Sequence, residues 1–175
     1  MKLNQILLIL AISALSLIFS ACEKQDAYMD WKVMNNDWLE ANKNSKSSFP
    51  FNWTIDVLKT PLVNAEFQTT ESGIKYKVLR LGNPADRMPN PTSYIWATYE
   101  GKLIDGTDFE SQVDSYWDYL QNLPIGVQEI LLKMHIGDIY EFYLPYTMAF
   151  GEKGDYKVPP YSTVIYRVEL TDAKY

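Results

Sequence analysis

The stretch Tyr99–Ser111, YEGKLIDGTDFES, reads as one β-hairpin, and the position of its turn decides the fold around it. A two-residue turn over Asp105 and Gly106 would place Phe109 beside Lys102. The alternative is a three-residue loop in which Gly106 takes a left-handed conformation and forms a G1 bulge. A slip of one residue moves every side chain to the opposite face, so the apolar pattern should distinguish the two turns.

The apolar pattern favours the bulged turn, because only that turn puts Tyr99, Leu103 and Phe109 on the same face of the hairpin. Gly101 then leaves space opposite the phenylalanine ring. The pairs that this turn predicts are Leu103 with Thr107, Gly101 with Phe109, and Tyr99 with Ser111. On this pattern alone, an ordinary sheet core is the simpler interpretation, and the wall of an apolar pocket is the alternative.

The first 22 residues, MKLNQILLILAISALSLIFSAC, have the layout of a secretory signal: an early lysine, an apolar run over 6–19, and small residues before a cysteine. Residues 1–21 are predicted to be a lipoprotein signal peptide, since Phe19–Cys22 resembles a bacterial lipobox. Cys22 is the only cysteine in the chain, so it has no partner for an internal disulfide. A lipid on Cys22 would anchor the protein to the bacterial cell envelope, and we expect the outer membrane. A plain signal peptide with an incidental cysteine is the alternative.

Residues 22–71 are predicted to form a tether and an N-terminal helical extension. Apolar side chains recur at helical spacing between Tyr28 and about Asn42, which predicts a helix with one apolar face for the main domain or for a partner. That face would carry Tyr28, Trp31, Met34, Trp38 and Leu39. Pro50 and Pro61 limit regular structure farther along, and the pattern over 43–71 indicates no particular structure.

Residues 72–175 are predicted to form the main domain. Alternating apolar residues in GIKYKVLRL, the hairpin, IYEFYLP and TVIYRVEL predict strands, whereas VDSYWDYLQN is aromatic and reads as irregular. The segment IGVQEILLKM places Val127, Ile130, Leu131 and Met134 on one face of a short helix. The expected fold class is α+β: a twisted antiparallel β-sheet wrapped around one short α-helix, with the helical extension at its N-terminus.

The chain offers no sequence motif for acid–base, metal or nucleotide chemistry. Its net charge of −6 gives little support to nucleic-acid binding, and we expect no cofactor and no metal. Rotation about an X-Pro bond is a reaction that needs none of these groups. Its barrier of about 18–20 kcal/mol comes from amide resonance, which an apolar pocket can weaken.

Four stretches occur in the order and spacing of the FKBP-type peptidyl-prolyl isomerases: YEGKLIDGTDFES, LPIGVQEILLKMHIGD, LPYTMAFGEKG and VPPYSTVIYRVEL. The resemblance runs from about Gly73 to Leu170. The preceding NDWLEANKN resembles the helical extension of exported bacterial members. The resemblance implies a five- or six-stranded sheet around one helix. It also implies an isomerase that acts on proline-containing polypeptides and assists the folding of exported proteins.

The resemblance also implies a set of pocket residues: Tyr99, Phe109, Glu110, Leu123, Val127, Phe150, Val158 and Tyr166. One of Tyr116, Trp117 or Tyr119 would add a further wall.

The chain departs from the family pattern at four of its pocket positions. Val127 replaces a common tryptophan at the floor, Glu110 an aspartate, and Phe150 a tyrosine. Pro124 has no N–H to offer a bound peptide. These changes predict modest isomerase activity and weakened binding of the family's macrolide inhibitors.

Two other functions remain as alternatives to an isomerase. The same pocket could hold an apolar or proline-containing segment with little turnover, as a binding or chaperone module anchored to the envelope. The abundant aromatic residues and the anchor also suggest a solute- or glycan-binding lipoprotein, although the series of motifs argues against it.

Overall fold

The computed structural model of the chain describes residues 28–45, 51–53 and 66–175. The predicted signal peptide, Cys22 and most of the stretch 43–71 lie outside the described residues. The first described element is helix α1, which covers residues 28–42. Within the described part of the chain, no helix combines the length and the apolar composition needed to cross a bilayer.

Six antiparallel strands form one sheet, in the order β1-β2-β5-β6-β3-β4. Helix α2, Ile125–Leu131, follows a 3-10 turn at Leu120–Asn122. The predicted α+β fold with an antiparallel sheet and one short helix is therefore confirmed. The strands are β1 Gln68–Thr69, β2 Lys75–Arg80, β3 Tyr94–Leu103, β4 Asp108–Tyr119, β5 Ile139–Leu144 and β6 Val164–Lys174.

The turn of the β3–β4 hairpin is the bulged form that the apolar pattern predicted. The N–H of Gly106 donates to the carbonyl of Leu103 at 3.0 Å, that of Leu103 donates to Thr107 at 2.9 Å, and Gly106 has φ +88°. The predicted pairs farther from the turn were wrong by one residue, because a second irregularity lies between Gly101 and Lys102. Gly101 pairs with Glu110 rather than Phe109, and Tyr99 pairs with Gln112 rather than Ser111.

Strand β4 continues to Tyr119, so the interpretation of VDSYWDYLQN as irregular was wrong for its first seven residues. The strand stays paired with β3 across two further register shifts, one of them beside Asp114, which has φ 39°. Such bulges interrupt the strict alternation of apolar and polar side chains that identifies a strand in a sequence.

The two faces of the sheet are covered differently. The main apolar core lies between one face of the sheet and α2, where Phe142 and Tyr166 of the sheet pack in one cluster with Val127 of the helix. The opposite face carries buried charged residues, among them Glu141 and Arg167. This opposite face is covered from the N-terminal side by aromatic rings. Trp38 and Phe67 pack on Tyr143 at 5.4 and 5.1 Å between centroids, and Trp53 lies 4.5 Å from the Arg167 guanidinium.

Helix α1 docks on the main domain, which is one of the two possibilities that its apolar pattern left open. The docked face differs from the predicted one, because Tyr28 and Met34 are 45% and 55% exposed while Asn35 is fully buried. A polar residue occupies the centre of the contact since its amide finds partners there, which an apolar period does not show.

Candidate active site

A cavity of about 410 Å³ opens between the β3–β4 hairpin, the start of α2 and the loop before β6. Its volume falls in the range of about 300–1,000 Å³ that is typical of ligand sites. We call it the aromatic pocket. Its lining residues are Tyr99, Phe109, Glu110, Trp117, Asp118, Leu123, Pro124, Phe150, Asp155, Tyr156, Lys157, Val158 and Tyr166.

The aromatic rings of the pocket hold one another at defined angles. Tyr99 stacks on Trp117 with centroids 4.0 Å apart, and Phe109 meets Tyr166 and Phe150 edge-on at 5.4 and 5.8 Å. Edge-on and offset pairs of this kind contribute about 0.5–1.5 kcal/mol each beyond their buried area. The pocket is therefore walled by rings that are fixed before any ligand enters.

Gly101 makes room for the central ring, as the hairpin pattern predicted. A Cβ built on Gly101 would lie 2.4 Å from Cζ of Phe109, which is far inside van der Waals contact. The bulge after Gly101 places Phe109 over this glycine although the two are not paired residues. The absence of a side chain at Gly101 thus sets the depth at which Phe109 lies.

The sequence analysis left open whether Tyr116, Trp117 or Tyr119 adds a further wall, and of these three residues Trp117 lines the pocket. The Tyr116 ring is 48% exposed and packs against Trp96 at 5.2 Å, whereas Tyr119 packs on Tyr94. The pairing of β4 with β3 shifts between Tyr116 and Asp118, so Trp117 lies at a bulge, where the alternation of side chains is interrupted. Alternation along the sequence therefore could not distinguish Trp117 from Tyr116 and Tyr119.

Val127 is the one residue of the implied pocket set that does not line the cavity. It lies on α2 with no exposed surface, inside the apolar core. A valine is much shorter than the tryptophan common at this position, and its side chain does not reach the cavity. The other seven residues of the set are brought together around the pocket.

Glu110 and Tyr166 form the polar pair of the pocket, the Tyr166 hydroxyl donating to Oε1 of Glu110. Burial raises the pKa of the Glu110 carboxyl above its ordinary value, and the bond from Tyr166 opposes that rise only in part. Burial and the nearby Glu110 carboxylate raise the pKa of Tyr166 well above its ordinary value. Burial also raises the pKa of Tyr99 to about 12, so both phenols stay protonated at neutral pH.

The rim of the pocket includes charged residues that the sequence analysis did not select: Asp118, Asp155 and Lys157, with Tyr156 beside them. Tyr156 is 95% exposed, so its ring stands free at the entrance. The run GDYK directly before Val158 was the available signal, since residues adjacent to a wall residue on a loop reach the same opening. The pocket thus combines an apolar interior with a rim on which two carboxylates and one ammonium group lie.

Comparison with known proteins agrees with this geometry. The family profile described as FKBP-type peptidyl-prolyl cis-trans isomerase matches residues 85–171. The chain belongs to this family. The FKBP-type match begins before β3 and ends within β6, so it includes every strand and loop that lines the pocket.

Named FKBP-type relatives share about a third of their residues with the chain. The FKBP-type 22 kDa isomerase of Escherichia coli K12 is 37% identical over 108 residues, which cover 59% of this chain and 52% of that protein. FkpA of Aeromonas hydrophila is 35% identical over 107 residues, covering 59% of this chain and 39% of that protein. The chain thus spans about half, or less, of the length of these relatives.

The crystal structure of FkpA from Escherichia coli superposes on the chain with a TM-score of 0.74 at 22% identity. The superposition covers 99% of this chain and 74% of that one. At this identity the superposition establishes the fold.

Proposed function

We propose that this protein is a peptidyl-prolyl cis-trans isomerase that uses the aromatic pocket to hold the proline of its substrate. The observation that carries the proposal is the set of interlocked rings of Tyr99, Trp117, Phe109 and Tyr166 around a preformed cavity. A proline ring is apolar and rigid, so it fills such a cavity at little cost in conformational entropy.

The proposed catalysis is physical rather than covalent. The planar X-Pro amide is polar because its nitrogen lone pair is conjugated with the carbonyl, whereas the twisted amide has lost that conjugation. An apolar pocket withdraws water from the planar form and therefore favours the twisted one. Each 1.36 kcal/mol of this preference speeds rotation by about tenfold.

The test is an isomerase assay on a proline-containing peptide, with the chain from residue 23 and a matched pair of neighbouring variants. Trp117→Ala removes a pocket wall and should lower kcat/KM by at least about tenfold, because the Tyr99 ring also loses its stacking partner. Tyr116→Ala removes the adjacent exposed ring and should leave kcat/KM within about twofold. Equal effects of the two changes would contradict the proposed site, and circular dichroism checks that both variants fold.

Peptide binding without turnover is the second candidate function. Two pocket residues favour it: Pro124 has no N–H, and Phe150 has no hydroxyl to donate to a bound backbone. A natural chain that binds proline peptides but leaves their isomerisation rate unchanged would support the binding module over the isomerase.

We propose that the protein acts at the bacterial cell envelope, attached through a lipid on Cys22, and that its clients are exported proteins. One support is the signal-like segment of residues 1–22, which ends in the lipobox-like stretch Phe19–Cys22. A relative from Legionella longbeachae, 30% identical over 108 residues, is named outer membrane protein MIP. Exported chains fold outside the cytoplasm, where slow X-Pro rotation limits their folding as it does elsewhere.

A further inference from the structure

Helix α1 makes its most buried polar contact with the chain just before β6. Asn35 has no exposed surface; its Nδ2 donates to the Trp31 carbonyl at 2.8 Å, and its Oδ1 accepts the Thr163 N–H at 2.7 Å. A buried amide is costly unless its groups are paired. The helix and the residue that precedes β6 are therefore held in one relative position.

A second chain of hydrogen bonds runs from α1 to the edge of the aromatic pocket. The indole Nε1–H of Trp31 donates to Oγ of Ser162 at 2.9 Å, and the Ser162 hydroxyl donates to the Pro159 carbonyl at 2.7 Å. Ser162 is 1% exposed, so both bonds are sheltered from water. Pro159 directly follows Val158, which lines the pocket.

The residues between these bonds and the pocket, 151–162, form what we call the wall loop. Its tip is closed by Asp155 and Val158, which exchange backbone hydrogen bonds of 2.8 and 3.1 Å. Its base contains Tyr161 at φ +61°, a left-handed conformation that needs support from its surroundings. That support includes the Lys32 ammonium of α1, which lies 4.4 Å from the centre of the Tyr161 ring.

We infer that Trp31 and Asn35 are positioning residues for the pocket: α1 holds the wall loop, and the wall loop places Val158 against the substrate. The contact uses directional bonds rather than apolar packing alone: Trp31 donates to the Ser162 hydroxyl of the loop, and Asn35 accepts from the Thr163 N–H directly after it. The helical extension then contributes to ligand binding by positioning one wall of the pocket. This inference rests on the proposed isomerase function of the pocket.

The test compares variants that remove hydrogen bonds between Trp31, Ser162 and Pro159 with conservative changes of side-chain size. Trp31→Phe removes the indole N–H, and Ser162→Ala breaks both bonds of the relay. We expect each to raise KM for a proline peptide by about three- to tenfold with a smaller change in kcat, because a displaced wall weakens ground and transition states alike. Ser162→Thr keeps the hydroxyl and should restore KM to within about twofold. Met34→Ala, on the exposed side of α1, is the control and should change nothing.

Amide hydrogen exchange gives a readout that does not depend on catalysis. Trp31→Phe, and Asn35→Ala where it folds, should speed exchange in residues 155–163 while leaving β5 protected. Unchanged KM and unchanged exchange in this loop would overturn the inference, and so would an equal loss of protection throughout the sheet. A natural chain without isomerase activity would refute the proposed function. In that case, loop exchange together with peptide affinity decides the positioning role.

Discussion

At the scale of single residues, the carboxyl group of Glu110 makes the stability of the protein depend on pH. Its pKa in the folded chain is raised above the ordinary 4.5, chiefly by burial. Below pH 4.5 the group is protonated in both the folded and the unfolded chain. Between that pH and the folded pKa, the unfolded chain releases a proton that the folded chain keeps. The free energy of unfolding therefore falls as pH rises through this window, and the loss is complete above it.

Glu110→Gln should remove this contribution while still accepting the Tyr166 hydroxyl through its amide oxygen. We expect the variant and the natural protein to have similar Tm values near pH 4, and the variant to have the higher Tm at pH 7. Thermal unfolding between pH 4 and pH 8 measures the difference. A gap that does not change with pH, or a more stable natural protein at pH 7, would show that Glu110 is not strained by burial.

Pocket-lining residues on regular strands could be selected from the sequence, whereas residues whose position depends on distant contacts or on side-chain length could not. Tyr99, Phe109 and Tyr166 line the pocket, and they could be selected because apolar residues alternate along their strands in the sequence. The burial of Asn35 could not be predicted, since one of its two partners, Thr163, lies 128 residues away in the chain. Val127 was placed at the floor by resemblance, but its short side chain is buried in the core and does not line the cavity.

At the scale of secondary-structure elements, the β3–β4 hairpin depends on the missing side chain of Gly101. Gly101→Ala would put a Cβ 2.4 Å from the Phe109 ring, which Tyr166 and Phe150 confine from other sides. We expect a loss of about 1–3 kcal/mol in the free energy of unfolding, typical of overpacking. Urea denaturation measures it, with Ser111→Ala on the exposed side of the hairpin as the control.

A compensating change sharpens this prediction. Adding Phe109→Leu to Gly101→Ala shortens the side chain that clashes, so the double variant should be more stable than Gly101→Ala alone. The affinity of the double variant for proline peptides should remain lower than that of the natural protein, because the pocket has lost its central ring. If Gly101→Ala proves as stable as the natural protein, the Phe109 ring can move away from the added methyl group, and the predicted overpacking is wrong.

Strands β5 and β6 are joined on the other face of the sheet by a buried ion pair. Arg167 Nη2 lies 2.7 Å from Oε2 of Glu141, and both side chains are nearly inaccessible to water. Arg167→Met should cost about 3–5 kcal/mol, because it leaves a buried carboxylate whose remaining contact is the Tyr143 hydroxyl at 3.1 Å.

Replacing both partners separates the ion pair from simple packing. Glu141→Leu with Arg167→Met should regain most of the lost stability, since no buried charge is left unpaired. The control is the exposed pair Arg87–Asp172 at 2.9 Å, where Arg87→Met should cost less than about 1 kcal/mol. Chemical denaturation measures the free energy of unfolding of the natural protein, Arg167→Met, the double variant and Arg87→Met. A double variant as unstable as Arg167→Met would contradict this explanation.

Most elements were predictable from their apolar periods. The exceptions are β4 and β1, the second of which lies in the stretch 43–71, where the pattern indicated no particular structure. Strands β2, β5 and β6 and helix α2 follow regular periods, which a sequence displays directly. Strand β4 shifts register against β3 near Asp114 and again between Tyr116 and Asp118, so its apolar residues do not alternate evenly. The segment also carries exposed aromatic residues on its outer side, which mimics the composition of an irregular loop.

At the scale of the whole molecule, the N-terminal residues connect the sheet to the proposed anchor. Helix α1 bonds the main domain through Trp31 and Ser162, and the Trp53 ring packs on Arg167. The residues before the sheet are therefore packed on the main domain. Five residues separate Cys22 from Tyr28, where the described helix begins. A chain advances at most about 3.6 Å per residue, so a lipid on Cys22 would keep α1 within about 20 Å of the membrane surface.

Cys22→Ser tests the anchor, because serine keeps the size of the side chain but has no sulfur to carry a lipid. We expect the natural protein in the membrane fraction and Cys22→Ser in the soluble fraction, since each buried CH₂ of an acyl chain contributes about 0.8 kcal/mol to membrane binding. Metabolic labelling with a radioactive fatty acid should mark the natural protein but not Cys22→Ser. Ser16→Ala, within the apolar run, is the control and should remain membrane-bound. A Cys22→Ser protein that stays in the membrane fraction to the same extent would show that another part of the chain holds it there.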